Sequence, residues 1–586
     1  MTSNVLRPSR YAFAPNPPIT RREVALVALL ACVLAVVMHW PLPLHMSRDV
    51  SRDIGDPLVQ AWQVAWGGHA LLHQPLDYFQ ANTFWPLKNS LAFSDALTGY
   101  APAGTIGEGV AAAVFRYNVL FLFAYALCFF GAWLLARELG AGRAGAAVAG
   151  ASFAYAPWRL EQDGHLHVIS SGGIPLSLFL LLRGYRNERT GLVLAGWLVA
   201  AWQLSLGFTL GLQLGYLLLA LGAIAVFFGV RHGRRLSGAM LKVTAVGLAA
   251  FTLTGVLLAR PYMQVLDDHP EAKRSTAQVA ELSGPVSSFA AAPEENLVWG
   301  KATKGVRDGL ASVPEQTLFP GVAILGLAIA GLFWSVYRRS LRVGLGIAVL
   351  VLAVLSLGFD EPHSHLYPYR LLYDVAPGWK GIRVPGRITT LTSLSLALLA
   401  AGAAQYLVAR LRAKRLSTAV AVALVALVCI EGSGFDVRSG LAIAGPSHPA
   451  VPLPPPGAST PPEPRLDLPV TVPANRRYVL WSTDGFPKIV NGRASFDPTF
   501  FARLTEQVTG FPDRQSVNVL RRLGVRSVVL DERLAPATAW AGAANKPLPG
   551  LPLRRISGRG VVVYLLEPRP ARPAGVARAH ESRPRT

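Results

Sequence analysis

Apolar stretches of near bilayer-crossing length recur along this chain, beginning near residues 24, 117, 144, 168, 192, 208, 239, 319, 343, 388 and 418. A helix needs roughly 20 apolar residues to cover about 30 Å of hydrocarbon, so these stretches predict about eleven spanning helices. Hydrophobic residues form 52% of the chain and charged residues 15%, whereas soluble domains carry about 25% charged residues. The expected fold class is a membrane all-α polytopic bundle. The 586 residues exceed what the spans consume, which leaves room for an extramembrane domain.

The charges between the spans order them. Links after every second span carry Arg137 and Arg143; Arg183, Arg186 and Arg189; Arg231, Arg234 and Arg235; Arg338, Arg339 and Arg342; and Arg410, Arg412, Lys414 and Arg415. By the positive-inside rule these links and residues 1–22 are cytoplasmic, and an odd number of spans puts the C-terminus outside. The net charge of +22 is then topological. Its basic residues sit in short clusters rather than on one polar face, so a nucleic-acid partner is not expected.

The run 24–40 follows Arg7, Arg10, Arg21 and Arg22, lacks a small-x-small cleavage site and ends in His39-Trp40-Pro41. It reads as a retained first helix rather than a signal peptide. Cys32, Cys128 and Cys429 fall in apolar segments without metal-ligand spacing and imply no disulfide framework.

Only Glu23, Glu138 and Glu188 lie in segments assigned to the inside. Nearly all other carboxylates face outward, with three long loops (41–116, 261–318 and 360–387) and a C-terminal region. The transmembrane domain is read as 23–435, with 436–469 as a proline-rich linker that stays extended. Residues 470–567 form a small extracytoplasmic α/β domain, with strand-like runs at 477–482, 527–531 and 560–566 and helical runs at 498–508 and 514–523. Residues 568–586, rich in Arg, Pro and Ala, read as a disordered tail.

Three outward constellations carry chemistry. The first is Asp53-Ile54-Gly55-Asp56-Pro57, followed by an aromatic run, 58–73, in which Trp62, Trp66, His69 and His73 share one face. Asp56 before a proline is a good helix cap, which would leave it no catalytic duty. Alternatively, a carboxylate here takes the proton of an attacking hydroxyl. The aromatic run is an interfacial helix anchored by tryptophans, or its rings stack on a sugar. A metal at the histidine row lacks the His-Glu-x-x-His pattern.

The second constellation is Trp158-Arg159-Leu160-Glu161-Gln162-Asp163-Gly164-His165-Leu166-His167, a short link that is either a solvated turn or part of the site. The third is Gly381-Ile382-Arg383-Val384-Pro385-Gly386-Arg387, with two arginines at an outer boundary. Arginine forks suit phosphate oxygens, and headgroup snorkelling is the plain alternative. Lys273 and Arg274 are a weaker version of the same pattern.

Together these features resemble the GT-C superfamily of integral membrane glycosyltransferases, over most of the chain. The nearest set is a bacterial branch whose first loop is similar to Asp53-Ile54-Gly55-Asp56-Pro57 with Ala61-Trp62 and Ala65-Trp66. Its late loop is similar to Arg383-Val384-Pro385-Gly386-Arg387, and its outer domain to Ile489-Val490-Asn491-Gly492. The resemblance implies inverting transfer of a sugar from a polyprenyl-phosphate carrier to an extracytoplasmic acceptor, a glycan, lipid or protein, at a bacterial cytoplasmic (inner) membrane. It implies Asp56 as general base with Asp53 as second choice or partner, and Arg383 and Arg387 on the donor phosphate. Trp62, His69, Glu161, Asp163 and His165 would line the substrate cavity. The family's acids often stand closer together, which leaves open both the base and a divalent cation, magnesium or manganese. A transporter or flippase of a lipid-linked solute is the competing class, but no internal repeat supports it. An envelope-assembly scaffold would tolerate loss of the first-loop acids.

Overall fold

A computed structural model describes residues 18–233, 236–360, 363–434, 448–455 and 461–568. Each apolar stretch of the sequence is helical: α1 (Arg21–Met38), α3 (Gly109–Leu139), α4 (Arg143–Ala154), α5 (Gly173–Arg186), α6 (Thr190–Leu206), α7 (Phe208–Arg231), α8 (Gly238–Asp268), α9 (Val322–Phe333), α10 (Arg339–Ser356), α11 (Thr389–Ala409) and α12 (Lys414–Glu431). The run after the first acids forms α2 (Asp56–His73). Among the described residues, six helices are long and apolar enough to cross a membrane: Gly109–Leu139, Leu166–Arg186, Phe208–Arg231, Gly238–Asp268, Arg339–Ser356 and Pro385–Ala409. This is a multi-pass membrane protein.

Not every expected span has full length. Helices α4 and α9 have 12 residues each, about 18 Å at 1.5 Å per residue, short of the roughly 30 Å hydrocarbon layer. The α4 segment is bounded by a left-handed Gly140 before it and by Tyr155 and Pro157 after it. Its burial explains how so short a helix is held. It packs with α3 and α11 at the centre, and a Cβ on Gly145 would lie 2.4 Å from the Ala401 carbonyl, the close backbone approach that small residues permit. By contrast α7, α8 and α10 present Leu219, Phe227, Val256 and Leu350 outward.

The link arginines have structural partners as well as a topological role. Glu23, buried, accepts from Arg137 at 3.0 Å and Arg143 at 3.2 Å. Glu138, also buried, takes Arg183 at 2.8 Å and Arg186 at 3.1 Å. Two acids assigned to the inside thus clip together the links that the charge pattern grouped there.

The C-terminal region carries a four-stranded sheet in the order β1-β2-β4-β3. Strands β1 (Arg465–Leu468) and β2 (Ser527–Asp531) are parallel, and β4 (Val561–Leu566) runs antiparallel to both β2 and β3 (Leu553–Ser557). The expected strands at 527–531 and 560–566 are present, as are helices α14 (Thr499–Gln507) and α15 (Arg514–Leu523). Two expectations are corrected. Residues 465–468, read as linker, are the parallel edge strand. Residues 477–482, read as strand, fall mostly in helix α13 (Val472–Trp481). Thr471 caps α13 by accepting the Ala474 amide, Pro473 sits in its first turn, and Ala474, Tyr478 and Trp481 are buried at helical spacing. Residues 1–17, residue 435, the linker segments 436–447 and 456–460, 569–586 of the expected tail, and the link arginines Arg234 and Arg235 lie outside the described residues.

This sheet domain shares its core with the first loop. Phe84 and Phe93 pack among Leu466, Val490, Phe501 and Leu504. The backbones pair as well: Ile489 N donates to Asn82 O at 2.8 Å, and Phe84 N to Asn491 O at 3.0 Å. Helix α2 is therefore enclosed between the bundle and α13, and Trp62 and Trp66 are each 3% exposed. It is a core helix, not one lying on a membrane surface.

Candidate active site

The first-loop acids are set by the start of α2. The N-cap of α2 is Gly55, with no side-chain cap, and Asp56 is the first helical residue. Asp56 therefore does not spend its oxygens on capping. Its Oδ1 accepts from Arg476 on α13 at 3.2 Å, and its Oδ2 lies 3.4 Å from His165 Nε2. Burial alone would raise the carboxyl; the His165 hydrogen bond and the charges of His165 and Arg476 outweigh it and hold Asp56 well below the usual range. Two-fifths of the side chain remains exposed, 42%, so a substrate hydroxyl has access. Asp53 is turned on its own backbone, its Oδ1 accepting from Gly55 N at 2.7 Å. A Cβ on Gly55 would stand 2.5 Å from that oxygen, so any side chain there would push the Asp53 carboxylate off this contact.

The link before α5 folds over this motif. Gln60 of α2 donates to Gly164 O at 3.3 Å and accepts from Leu166 N at 2.6 Å, anchoring the link to the helix below it. His165 thereby meets Asp56, and His167 meets Arg387, whose guanidinium lies 3.0 Å from His167 Nε2. Arg387 also donates to Glu315 at 3.1 Å. Glu315 is held low; burial opposes this, and the Arg387 charge is the chief cause that overcomes it. Asp95 accepts from Phe208 N at 2.8 Å, lies 3.8 Å from His167, and has its carboxyl raised by burial.

Arg383 stands apart from these pairs. It is half-buried and, among the described residues, makes no hydrogen bond or ion pair, while Arg387, Glu315, Asp56 and Arg493 lie within electrostatic reach. Burial and the Arg387 charge pull it below the ordinary arginine value. Arg274 interacts with both Arg383 and Asp95 and is fixed by Ser495 at 2.7 Å. The centre thus gathers Arg274, Arg383, Arg387 and Arg476 against Asp56, Asp95 and Glu315. Partly buried cations in that balance suit an anionic ligand.

The other expected cavity residues are placed elsewhere. Trp62 donates its indole N–H to Asn82 at 3.0 Å inside the α2 core. His69 stacks with Trp66, His73 and Phe486, about 20 Å along α2 from Asp56 by helical rise. Glu161 is buried and bonded to Arg52, which also donates to Leu160 O at 3.2 Å; the pair pins the residue before Asp53 to the link. Asp163 is buried and accepts from the Tyr125 hydroxyl. Glu161 and Asp163 support the site from beneath. Of the expected set, Asp56, Asp53, His165, Arg383 and Arg387 gather around it.

Among the described residues no group of three His, Cys, Asp or Glu side chains forms a metal-binding set. Asp95, Glu315, Gln60 and Arg476 escaped the sequence reading. Arg476 is 420 positions from Asp56, and no local spacing signals such a pair.

No family model matches this chain, and no curated protein matches it by sequence. Among solved structures it is similar to the arabinofuranosyltransferase AftD from Mycobacteria, with TM-score 0.52 and 14% identity, covering 94% of this chain and 42% of AftD. The chain therefore spans about two-fifths of that protein's length. It also matches the archaeal oligosaccharyltransferase AglB from Archaeoglobus fulgidus, solved with an inhibitory peptide and a dolichol-phosphate (TM-score 0.41, 14% identity, 93% of this chain and 74% of that one). ArnT from Cupriavidus metallidurans gives TM-score 0.36 and 14% identity, over 93% and 99% of the two chains. The likeness to AftD shows a shared fold of the GT-C type, which in this chain is a helical bundle whose first long loop seats an acid beneath a small C-terminal sheet domain.

Proposed function

We propose that this protein is a glycosyltransferase of the bacterial cytoplasmic membrane, moving a sugar from a polyprenyl-phosphate donor to an extracytoplasmic acceptor, with its N-terminus inside and its C-terminal domain outside. The observation that carries this reading is the juxtaposition of Asp56, a carboxylate not used as a helix cap, with an uncommitted Arg383. The likeness to AftD, an arabinofuranosyltransferase, supports the reaction class.

In the proposed reaction the acceptor oxygen attacks the anomeric carbon from the face opposite the phosphate. The new C–O bond forms, the acceptor O–H bond breaks with its proton passing to Asp56, and the old C–O bond's electron pair leaves with the lipid phosphate. One displacement inverts the anomeric centre. An oxocarbenium-like transition state acidifies the attacking hydroxyl as its oxygen bonds, so a carboxylate of low pKa, ionised at any physiological pH, is an adequate acceptor. Arg383 is the better donor-phosphate ligand of the two outer arginines. Arg387 is already engaged by Glu315 and His167, whereas Arg383 offers its whole fork, and its charge grows in value as negative charge develops on the leaving group.

Asp56→Asn keeps the shape and removes the base. Purified full-length protein given a panel of labelled polyprenyl-phosphate sugars and envelope acceptor fractions should transfer label as wild type and lose at least about a hundredfold in rate as Asp56→Asn, with an unchanged melting temperature. Wild-type turnover by that variant would sink the assignment and leave a scaffold or transporter role.

A further inference from the structure

Among the described side chains of the C-terminal domain, Arg476 is the one bonded to Asp56, and the way it is delivered points to a role beyond packing. Helix α13 lies on α2, with Val479 in one cluster with Val59, Trp62 and Trp66 and Leu480 in the core of the bundle. Its position is fixed from the other side by Asn491, a fully buried residue. Asn491 accepts from Asp467 N at 2.7 Å and donates to Asp467 O at 2.8 Å and to Asn475 Oδ1 at 3.0 Å. Asn491 thus joins strand β1 to the residue adjacent to Arg476, and its own carbonyl receives Phe84 N from the first loop. The guanidinium ends on Asp56 Oδ1 at 3.2 Å, with its NH1 3.4 Å from where a Gly55 Cβ would stand.

We propose that Arg476 is a positioning residue for the base: with His165 on the other oxygen, it fixes the Asp56 carboxylate and keeps it ionised, so that the site is complete only when the C-terminal domain is seated. This rests on Asp56 being the base. The groups facing Asp56 are Asp53 on its own motif, His165 and His167 from the link, Arg383 from the outer loop before α11, and Arg476 from α13. Arg476 is the one supplied by the C-terminal domain.

The test needs no identified substrate. A water-soluble carbodiimide with an amine nucleophile labels a carboxyl more slowly the more completely it is ionised, so the profile of Asp56 labelling rate from about pH 4 to pH 7, read by peptide mass spectrometry on the detergent-purified full chain, reports how strongly it is held as the carboxylate. Removing an adjacent cation favours the protonated form. Arg476→Gln should displace that profile toward higher pH, with labelling roughly several-fold faster at a given pH, and Arg476→Lys, which keeps a charge but loses the fork, by less. If Arg476→Gln does not purify folded, a rise in the Arg476→Lys variant supports the proposal and an unmoved profile overturns it. A profile unmoved in both variants likewise overturns it. Loss of the reading itself is a separate result, since turnover by Asp56→Asn would remove the base without altering how Arg476 moves the labelling curve.

Discussion

Asp163 shows what burial does to a single residue beside the site. Its side chain is fully buried, one carboxylate oxygen accepts from the Tyr125 hydroxyl, and the other has no hydrogen-bond partner among the described residues. Burial pushes its carboxyl up to about 7, against the favourable Tyr125 hydrogen bond and the charges of Arg52 and Arg159. A group raised on folding contributes stability fully below its unfolded value of 3.8 and loses it as pH rises through about 7. Asp163→Asn, isosteric and neutral, should therefore gain on wild type in melting temperature as pH rises from 3.8 to about 7, by roughly a few degrees, measured by thermal melts in detergent. A difference independent of pH would show that Asp163 is not charging in that window. At this scale the sequence was legible where chemistry was local. Asp56, His165 and Arg383 announce themselves as acids, imidazoles and guanidiniums next to prolines and glycines outside apolar runs. Asp95 and Glu315 are lone acids in long loops. Nothing near them says that a histidine and an arginine from other loops will close on them.

At the scale of elements, the helices were legible because an apolar run of bilayer length has few alternatives, while their ends were set by partners far along the chain. Helix α9 begins after Gly321, at φ +98°, which has no side chain to cap it. Its first amides are taken instead by Glu431 at the end of α12: Val322 N at 2.5 Å and Ala323 N at 2.9 Å, with the Trp299 indole at 2.8 Å. Glu431 is 4% exposed, and a carboxylate at a helix N-terminus is favourable both as acceptor and against the helix dipole. Glu431→Ala leaves three partly buried donors without their acceptor and should cost on the order of 2 kcal/mol, read as a lower melting temperature and faster thermal inactivation. A variant as stable as wild type would mean that water takes over the cap. The same dependence on distant partners explains α13. Its residues 477–482 satisfy a strand-like pattern of β-branched and aromatic residues, but Thr471, Pro473 and the surface of α2 decide for helix.

For the whole molecule, sequence patterns put a separate domain behind a proline-rich linker, and the structure makes that domain part of the first loop's fold. The pairing of 82–85 with 489–491 joins segments some 400 positions apart, a separation at which no periodicity or composition carries information. Phe84 is 2% exposed and Phe93 1%, their rings meeting at 5.3 Å inside the C-terminal core, with Phe84 also edge-on to Phe501. Removing a buried phenylalanine costs about 3–5 kcal/mol. The two rings touch, so their costs do not simply add, yet even one such loss is a large share of the roughly 5–15 kcal/mol that stabilises a domain. The fragment 461–568 expressed alone would lack both rings and the strand-like backbone pairing to Ile489 and Asn491. It should therefore show no cooperative thermal transition in near-ultraviolet circular dichroism and poorly dispersed amide resonances. A cooperative melt from that fragment would establish an autonomous domain and weaken the argument that seating of the C-terminal region and completion of the site are one event. If the fragment is disordered as expected, the loop that carries Asp53 and Asp56 is also what folds the domain that carries Arg476, so base and positioning arginine are assembled by the same packing.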